Sequence, residues 1–455
     1  AGLASLLPVA IFPGQPKLEF PVKVSQFFRL FALILIIFSA APSAAGSSLE
    51  YSPAPGGGWA GAILQQDGGG EGIEIRADTL GLPLATHEVA ALYPKPSVFL
   101  QPGDQIRFMI EIETEGDYII FFDMASTEFY INPPEAQLTL DGRVPTLDAQ
   151  RIVFPIFYQN TRDTFPLDRY GNDALIRQER LFRWENVPLR DVNFSQKYPT
   201  PFHLTPGPHE FGLQVVKESL LLGSIYLSLA STYPSYAQYL QDKPAPAVPG
   251  VFIEMEAEFP AYKNDTSIRP VNSRSLEVSP YDTYKLLLNT LGGESWIRSG
   301  TTVYYEFEAP ADGMYNITLR YLQNFKNNFT VFRKITLNGE VLFDELSAVP
   351  FPSSTRWQNF TLGGAEPFNI YLQKGRHVLG IEATDAPYRP AIEKVKKVLV
   401  DINTLALEIK KLTGNQSDHF KEWVISDYIQ DIRERLLANA AELEAALALL
   451  TTINR

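Results

Sequence analysis

Two stretches of this 455-residue chain say nearly the same thing. "QLTLDGRVPTLDAQRIVFP" runs from Gln137 to Pro155, and "KITLNGEVLFDELSAVPFP" from Lys334 to Pro352. Each carries strand-forming residues into Asp-Gly or Asn-Gly, then a polar segment, then Phe-Pro. Asp-Gly and Asn-Gly are the pairs that tight two-residue hairpins select, because both central residues need positive φ. The spacing is not local chance. Gly116 and Gly313, Gly142 and Gly339, and Phe154 and Phe351 each lie 197 positions apart. Further on, Gly207 and Gly375, and His209 and His377, lie 168 apart. "IEIRAD" from Ile73 also matches "IEMEAE" from Ile253. We read a module written twice, with 29 extra residues in the first copy, between Pro155 and Phe202.

The module is a β module. "IRFMIEIE" sets Ile106, Phe108, Ile110 and Ile112 against Arg107, Met109, Glu111 and Glu113. "TTVYYEFEA" repeats the alternation with Val303, Tyr305 and Phe307. Period two with one apolar face is the pattern of a half-buried strand. Short strands between turns every 8–12 residues predict an antiparallel sandwich of jelly-roll type. The copies span 72–242 and 251–388. "KPAPAVPG", 243–250, is the linker, since its prolines cannot sit in a central strand.

After Thr384 the period changes. Ile392, Val395, Leu399, Ile402, Leu405, Ile409 and Leu412 recur at three- and four-residue steps, then Gly414 ends the run. Ile429, Ile432, Leu436, Ala440, Leu443, Leu447 and Leu450 form a second stripe. These are two amphipathic helices in 389–455, expected as a hairpin. Their apolar face calls for a further partner. The fold class is therefore mainly β: two tandem antiparallel sandwiches followed by a helical hairpin.

At the other end, Lys23 and Arg29 precede the apolar run Leu30 to Ala40, and Ser43 and Ala45 suit a signal peptidase site. We expect an export signal within 1–45, cleaved or kept as an anchor. A Gly/Pro-rich tether follows at 46–71. The chain has no cysteine, which excludes disulfides, thiolate catalysis and a lipid anchor through Cys. Its net charge of -13 argues against a nucleic-acid partner, which needs a basic face.

No motif for a nucleophile, a metalloprotease or a phosphate loop occurs, so a non-catalytic protein is expected. Aromatics are the promising groups, at 12% of residues. Sugar rings stack on Trp and Tyr while Arg, Asn and Asp take the hydroxyls. The extra segment of the first copy, "DTFPLDRYGNDALIRQERLFRWENVPLRD", holds Arg169, Tyr170, Asn172, Asp173, Arg183 and Trp184. Long loops on sandwich scaffolds carry binding. Trp184 either meets a glycan or plugs the segment against a sandwich. Trp296 and Trp357 stand between the same two readings. Glu256 and Glu258 are either an exposed strand face or calcium ligands, since hard cations want carboxylate oxygens. His209 and His377 share one hairpin position and read as structural.

The phrases "IEMEAE", "APADGMYNITLRY", "ITLNGE" and "YLQKGRHVLGIEA" resemble carbohydrate-binding modules of the galactose-binding-like jelly-roll fold. A closer resemblance covers nearly the whole mature chain, through "DRYGNDALIRQE", "FRWENVPLRD", "YKLLLNTLGGESW", "FRKITLNGEVLFDELSAVPFP" and the helices after "KKLTGNQSD". It is to the N-terminal region of large multidomain extracellular solute-binding proteins of bacterial ABC transporters. The resemblance implies two sandwiches and a helical segment ahead of a two-lobed sugar-binding domain beyond Arg455. It implies a non-catalytic exported region that binds an oligosaccharide or polysaccharide and works with that downstream domain and an ABC permease. The alternative is a spacer or protein-interaction scaffold at the cell envelope. The chain departs from the modules where "APYRPAIEKVKKVL" reads as helix in place of a closing strand.

Overall fold

A computed structural model describes residues 72–127, 132–241, 243, 251–325, 328–414 and 423–454. The expected export signal, the tether and all of the proline linker but Lys243 lie outside the described residues.

The first sandwich is built from β1 (Ile73–Ile75), β2 (Val98–Leu100), β3 (Gln105–Ile112), β4 (Gly116–Ser126), β5 (Glu135–Leu140) and β6 (Ile152–Val153). The chain then passes through the extra segment, with β7 (Phe157–Asn160), β8 (Gln178–Leu181) and β9 (Trp184–Pro188), and closes with β10 (Phe202–Leu204), β11 (Gly207–Lys217) and β12 (Leu220–Leu229). One sheet runs β1-β12-β4-β10, with β2 on β12 and β9 on β4; the other runs β3-β11-β5-β6. All pairings are antiparallel. The alternation in β3 behaves as period two requires: Ile106, Phe108, Ile110 and Ile112 are buried, and the residues between them are exposed. Phe154, the Phe of the first Phe-Pro, is fully buried and meets Phe122 edge-on with centroids 5.8 Å apart.

The second sandwich contains β13 (Tyr262–Lys263), β14 (Pro270–Val271), β15 (Thr290–Leu291), β16 (Thr302–Ala309), β17 (Gly313–Tyr315), β18 (Thr318–Tyr321), β19 (Val331–Leu337), β20 (Val349–Phe351), β21 (Gln358–Thr361), β22 (Ile370–Leu372) and β23 (Gly375–Thr384). Its main sheet runs β20-β19-β23-β16-β13-β7-β8. Read inward from β20, the first four strands have the order of β6-β5-β11-β3 in the first sandwich. The facing side consists of three two-stranded ladders, β14-β15, β17-β22 and β18-β21. The two tight turns match as well. Asp141 and Gly142 have φ of 50° and 75°, and Asn338 and Gly339 have 52° and 89°, as the Asp-Gly and Asn-Gly pairs demand.

Two boundaries differ from expectation. The extra segment is not a free loop: β7 and β8 are the outermost strands of the second sandwich's sheet, although they precede it by some hundred residues. The chain also enters the second core before the proline linker. Helix α1 (Tyr236–Gln241) sets Tyr236 and Tyr239 against Phe343, with centroids 5.0 and 5.2 Å apart. Composition marked the linker, but the aromatic side chains ahead of it chose the core.

The C-terminal segment forms α2 (Arg389–Thr413), a short α3 (Ile425–Tyr428) and α4 (Ile432–Ile453). Gly414, at φ 77°, caps α2 through its N–H to the Lys410 carbonyl. α2 and α4 form an antiparallel hairpin: Lys394 and Lys397 reach Glu442 at 2.8 and 2.7 Å, while Asn439 donates to Asp401 at 2.7 Å. Only part of the apolar stripe is covered, since Val395 and Leu405 are buried but Ile402, Leu436 and Leu447 are exposed, as are Leu407 and Leu437 beside it. α4 is long and apolar enough to cross a membrane by length and composition alone.

Candidate ligand site at the seam between the sandwiches

The extra segment reaches both sandwiches, and its side chains follow from that. β9 pairs with β4, which places Trp184 opposite Ala125 on the outer face of that sheet, in a buried cluster with Val89, Tyr93 and Leu221. Its indole is 3% exposed, stacks on Tyr93 at 4.2 Å and donates its N–H to the Val89 carbonyl at 2.8 Å. Trp184, expected among the sugar-stacking residues, therefore offers no face to a ligand. It anchors the segment. Arg183 points the other way, with its guanidinium 4.0 Å from the Tyr262 ring of the second sandwich. Its Nε lies 2.8 Å from a Glu185 carboxylate oxygen but off the hydrogen-bond axis, so the two form an ion pair without a made hydrogen bond. Arg183 is thus also spent on the seam.

Further along, Arg190 forks onto Glu382 of β23 at 2.9 and 3.3 Å, with Lys334 3.9 Å from the same carboxylate. Burial alone would raise the Glu382 pKa, yet the two cations hold it below the usual range. Lys197 and Tyr198 both bind Asp344, at 2.7 and 2.9 Å, and Arg389 at the start of α2 donates to Ser195 at 3.1 Å. Phe194 seats its ring on Gly300, where φ is +80° and a Cβ would overlap the ring.

The tip of the segment is a hydrogen-bonded turn. Asp168 accepts from the backbone N–H of Tyr170 at 2.7 Å and of Asn172 at 2.9 Å, and from the Asn172 side chain at 3.0 Å. Asn172 and Asp173 then accept from the Leu286 and Leu288 N–H groups at 2.9 Å each. These two expected ligand residues are docking contacts on the second sandwich. Arg169 and Tyr170 stay available: Tyr170 is 69% exposed, with the Arg169 guanidinium 4.6 Å from its ring. The docked loop presents Tyr284, 93% exposed.

Trp296 donates its indole N–H to the Thr301 carbonyl at 3.1 Å and lies under Arg333 at 4.5 Å, packed on the second core. Trp357 has a buried indole nitrogen with no partner among the described residues. Neither takes part in the seam. Glu256 is exposed, whereas Glu258 is 3% exposed and burial pushes its pKa up to about 7. A calcium ion needs both as charged ligands, and burial favours the uncharged form of Glu258. Among the described residues no three His, Asp or Glu side chains gather to hold an ion.

The seam borders an open pocket of about 300 Å³, lined by Asn160, Phe165, Leu175, Ile176 and Gln178 from the extra segment and by Thr266, Arg269 and Pro270 from the second sandwich. Asn160 and Gln178 are directly paired across β7 and β8, so both amides point from the same face of the sheet. Phe165 is held by Phe259, with centroids 4.6 Å apart. Lys263, whose pKa burial lowers to about 8, donates to the Ile268 carbonyl and pins the loop that carries Thr266 and Arg269. The Arg269 backbone is fixed at both ends, its N–H donating to Ser295 Oγ at 3.2 Å and its carbonyl accepting from Gly292 at 3.2 Å. Among the described residues the side chains of Asn160, Gln178, Thr266 and Arg269 have no hydrogen-bond or ion-pair partner. A pocket with one aromatic wall and four uncommitted polar groups suits a small polyhydroxylated ligand. Sequence reasoning pointed at the extra segment but missed these residues, because the strand that completes the pocket lies a hundred positions away.

Residues 390–455 match the family described as bacterial solute-binding protein, 4-helix bundle domain. Among solved structures, the C-terminal CBM6 of a marine laminarinase from Zobellia galactanivorans is similar, at 12% identity over 35% of this chain and 99% of that one, with a TM-score of 0.20. A GH26-CBM35 β-(1,4)-mannanase of Podospora anserina is 14% identical over 36% of this chain and 28% of its own, with a TM-score of 0.22. A CBM36 domain of a xylanase from the hindgut metagenome of Trinervitermes trinervoides is 9% identical over 36% and 100%, with a TM-score of 0.20. No curated protein matches the chain.

Proposed function

We propose that this chain is a non-catalytic, exported accessory region of a bacterial extracellular solute-binding protein in sugar uptake, and that the seam pocket holds one sugar residue of an oligosaccharide or polysaccharide. The observation that carries the reading is the pocket lining: two amides, a hydroxyl and a guanidinium, all uncommitted, beside the fixed ring of Phe165. Sugar recognition needs that combination of donors and acceptors around an apolar face. Tyr170 and Tyr284, exposed on the adjoining loops, are available to the rest of the glycan.

The transporter context rests on the helices. α2 and α4 make one pair, and residues 390–455 match a domain described as a four-helix bundle. In this reading a second helical pair covers Leu407, Leu436 and Leu437, a solute-binding domain follows, and an ABC permease receives the sugar. A second reading, a rigid spacer at the cell envelope, draws on the clasp itself, which ties both sandwiches and α2 together through Arg190, Lys197 and Ser195. A polysaccharide and oligosaccharide array probed with the chain separates the two. Retention by a defined glycan class supports the binding reading, and no retention by any glycan leaves the spacer.

A further inference from the structure

The pocket's charge narrows the ligand. Among its eight lining residues stands one cation, Arg269, and no Asp or Glu. The Arg269 side chain is exposed and has no carboxylate partner among the described residues, although the chain as a whole carries a net charge of -13. In a protein so rich in carboxylates, an arginine left without one beside a pocket is a vacant anion partner. The neutral groups, Asn160, Gln178 and Thr266, serve hydroxyls; none of them needs an anion and none supplies the negative acceptor with which a site grips neutral sugar hydroxyls most strongly.

Resting on the reading of the pocket as a sugar site, we propose that its ligand is an anionic sugar residue whose acidic group is held by the Arg269 guanidinium. The planar fork of Arg matches a carboxylate or a sulfate with two parallel N–H bonds. The backbone of Arg269 is fixed by Ser295 and Gly292, so its side chain swings from a set point on the rim. The ring then lies against Phe165 with its hydroxyls toward Asn160 and Gln178.

The test is calorimetric titration of the chain with three probes of equal length: a uronate oligosaccharide, a sulfated galactan oligosaccharide and a neutral β-mannan oligosaccharide. The expected result is that an anionic probe binds tightest, and that Arg269→Gln weakens it by about tenfold or more, the size of a lost charge-assisted pair. The same variant leaves the melting temperature unchanged, since the side chain supports no internal contact, and it weakens the neutral probe far less than the anionic one. The uronate and sulfate arms tell which anion fits. A neutral probe that binds as tightly as the anionic ones, and is weakened by Asn160→Ala but not by Arg269→Gln, overturns the anionic ligand while leaving the sugar site standing. No binding by any probe overturns both.

Discussion

The strands β3 and β16 hold the same place in the two sandwiches, next to β11 and β23, and they lead opposite lives. β3 is the edge of its sheet, and its outward residues Gln105, Arg107, Met109 and Glu111 face water. β16 is interior, because β13, β7 and β8 extend the sheet beyond it, and its outward Thr302 is 4% exposed. The chemistry of the two outer faces changes to match. In the first sandwich Gln137 pairs with Gln214; at the same place in the second, Lys334 pairs with Glu382. Glu382 of the second pair is claimed by Arg190 of the extra segment at 2.9 Å, closer than its own partner Lys334 at 3.9 Å. Two sheets with one strand order thus teach that the order is set by local patterning, while the identity of a neighbour is set by a few outward residues and by what is inserted.

The largest expected effect is on the anchor. Trp184→Ala leaves a hole beside Tyr93 and an unpaired Val89 carbonyl, and destabilises the chain by about 3–5 kcal/mol in urea unfolding. Arg190→Ala leaves Glu382 buried beside Lys334 alone, at a cost of about 3–5 kcal/mol, and should separate the unfolding of the two sandwiches into two transitions. The control is the matching site in the first sandwich: Gln214→Ala, on an exposed face, shifts stability by no more than about 0.5 kcal/mol. Equal losses at Arg190 and Gln214 would erase the contrast between the two faces.

A smaller difference sits at the hairpin histidines. His209 faces two acceptors, the Asp141 carboxylate and the Thr205 carbonyl, both at 2.8 Å, an arrangement that favours the protonated ring. His377 has the Asn338 amide, 3.1 Å away, in place of a carboxylate, and the Gln373 carbonyl at 2.7 Å. Asp141 raises the His209 pKa above its ordinary 6.5. This contribution to stability is complete below about pH 6.5 and is lost as pH rises through the raised folded value. Asp141→Asn should flatten that part of the melting-temperature profile. A profile that the substitution leaves unaltered would remove the charged state from the account. The smallest effect is at Tyr170→Ala, within about 0.5 kcal/mol of wild type in stability because the ring is exposed.

Much of the fold was written in local sequence. The Asp-Gly and Asn-Gly turns, the alternation of β3 and β16 and the Phe-Pro rings each follow from a few adjacent residues. The change of period after Thr384 likewise marks the helices. The seam was not legible. Nothing near Phe157 says that it pairs with a strand at Tyr262, since β13 offers two residues of ladder and the contact is long-range. The aromatic count drew attention to Trp184, but a tryptophan that stacks on a sugar and one that stacks on Tyr93 leave the same mark in a sequence. Asn172 and Asp173 were conspicuous for the same polar chemistry that lets them cap the backbone of Leu286 and Leu288. The pocket residues Asn160, Gln178 and Arg269 are ordinary in composition, and only pairing across the seam makes them converge.

The most direct test of the seam pocket as the ligand site is calorimetric titration of Asn160→Ala/Gln178→Ala with the glycan that the wild-type chain binds best on an array. The account predicts a loss of affinity of about tenfold or more, from two hydrogen-bonding amides, at an unchanged melting temperature. An affinity equal to wild type in a folded double variant would contradict it.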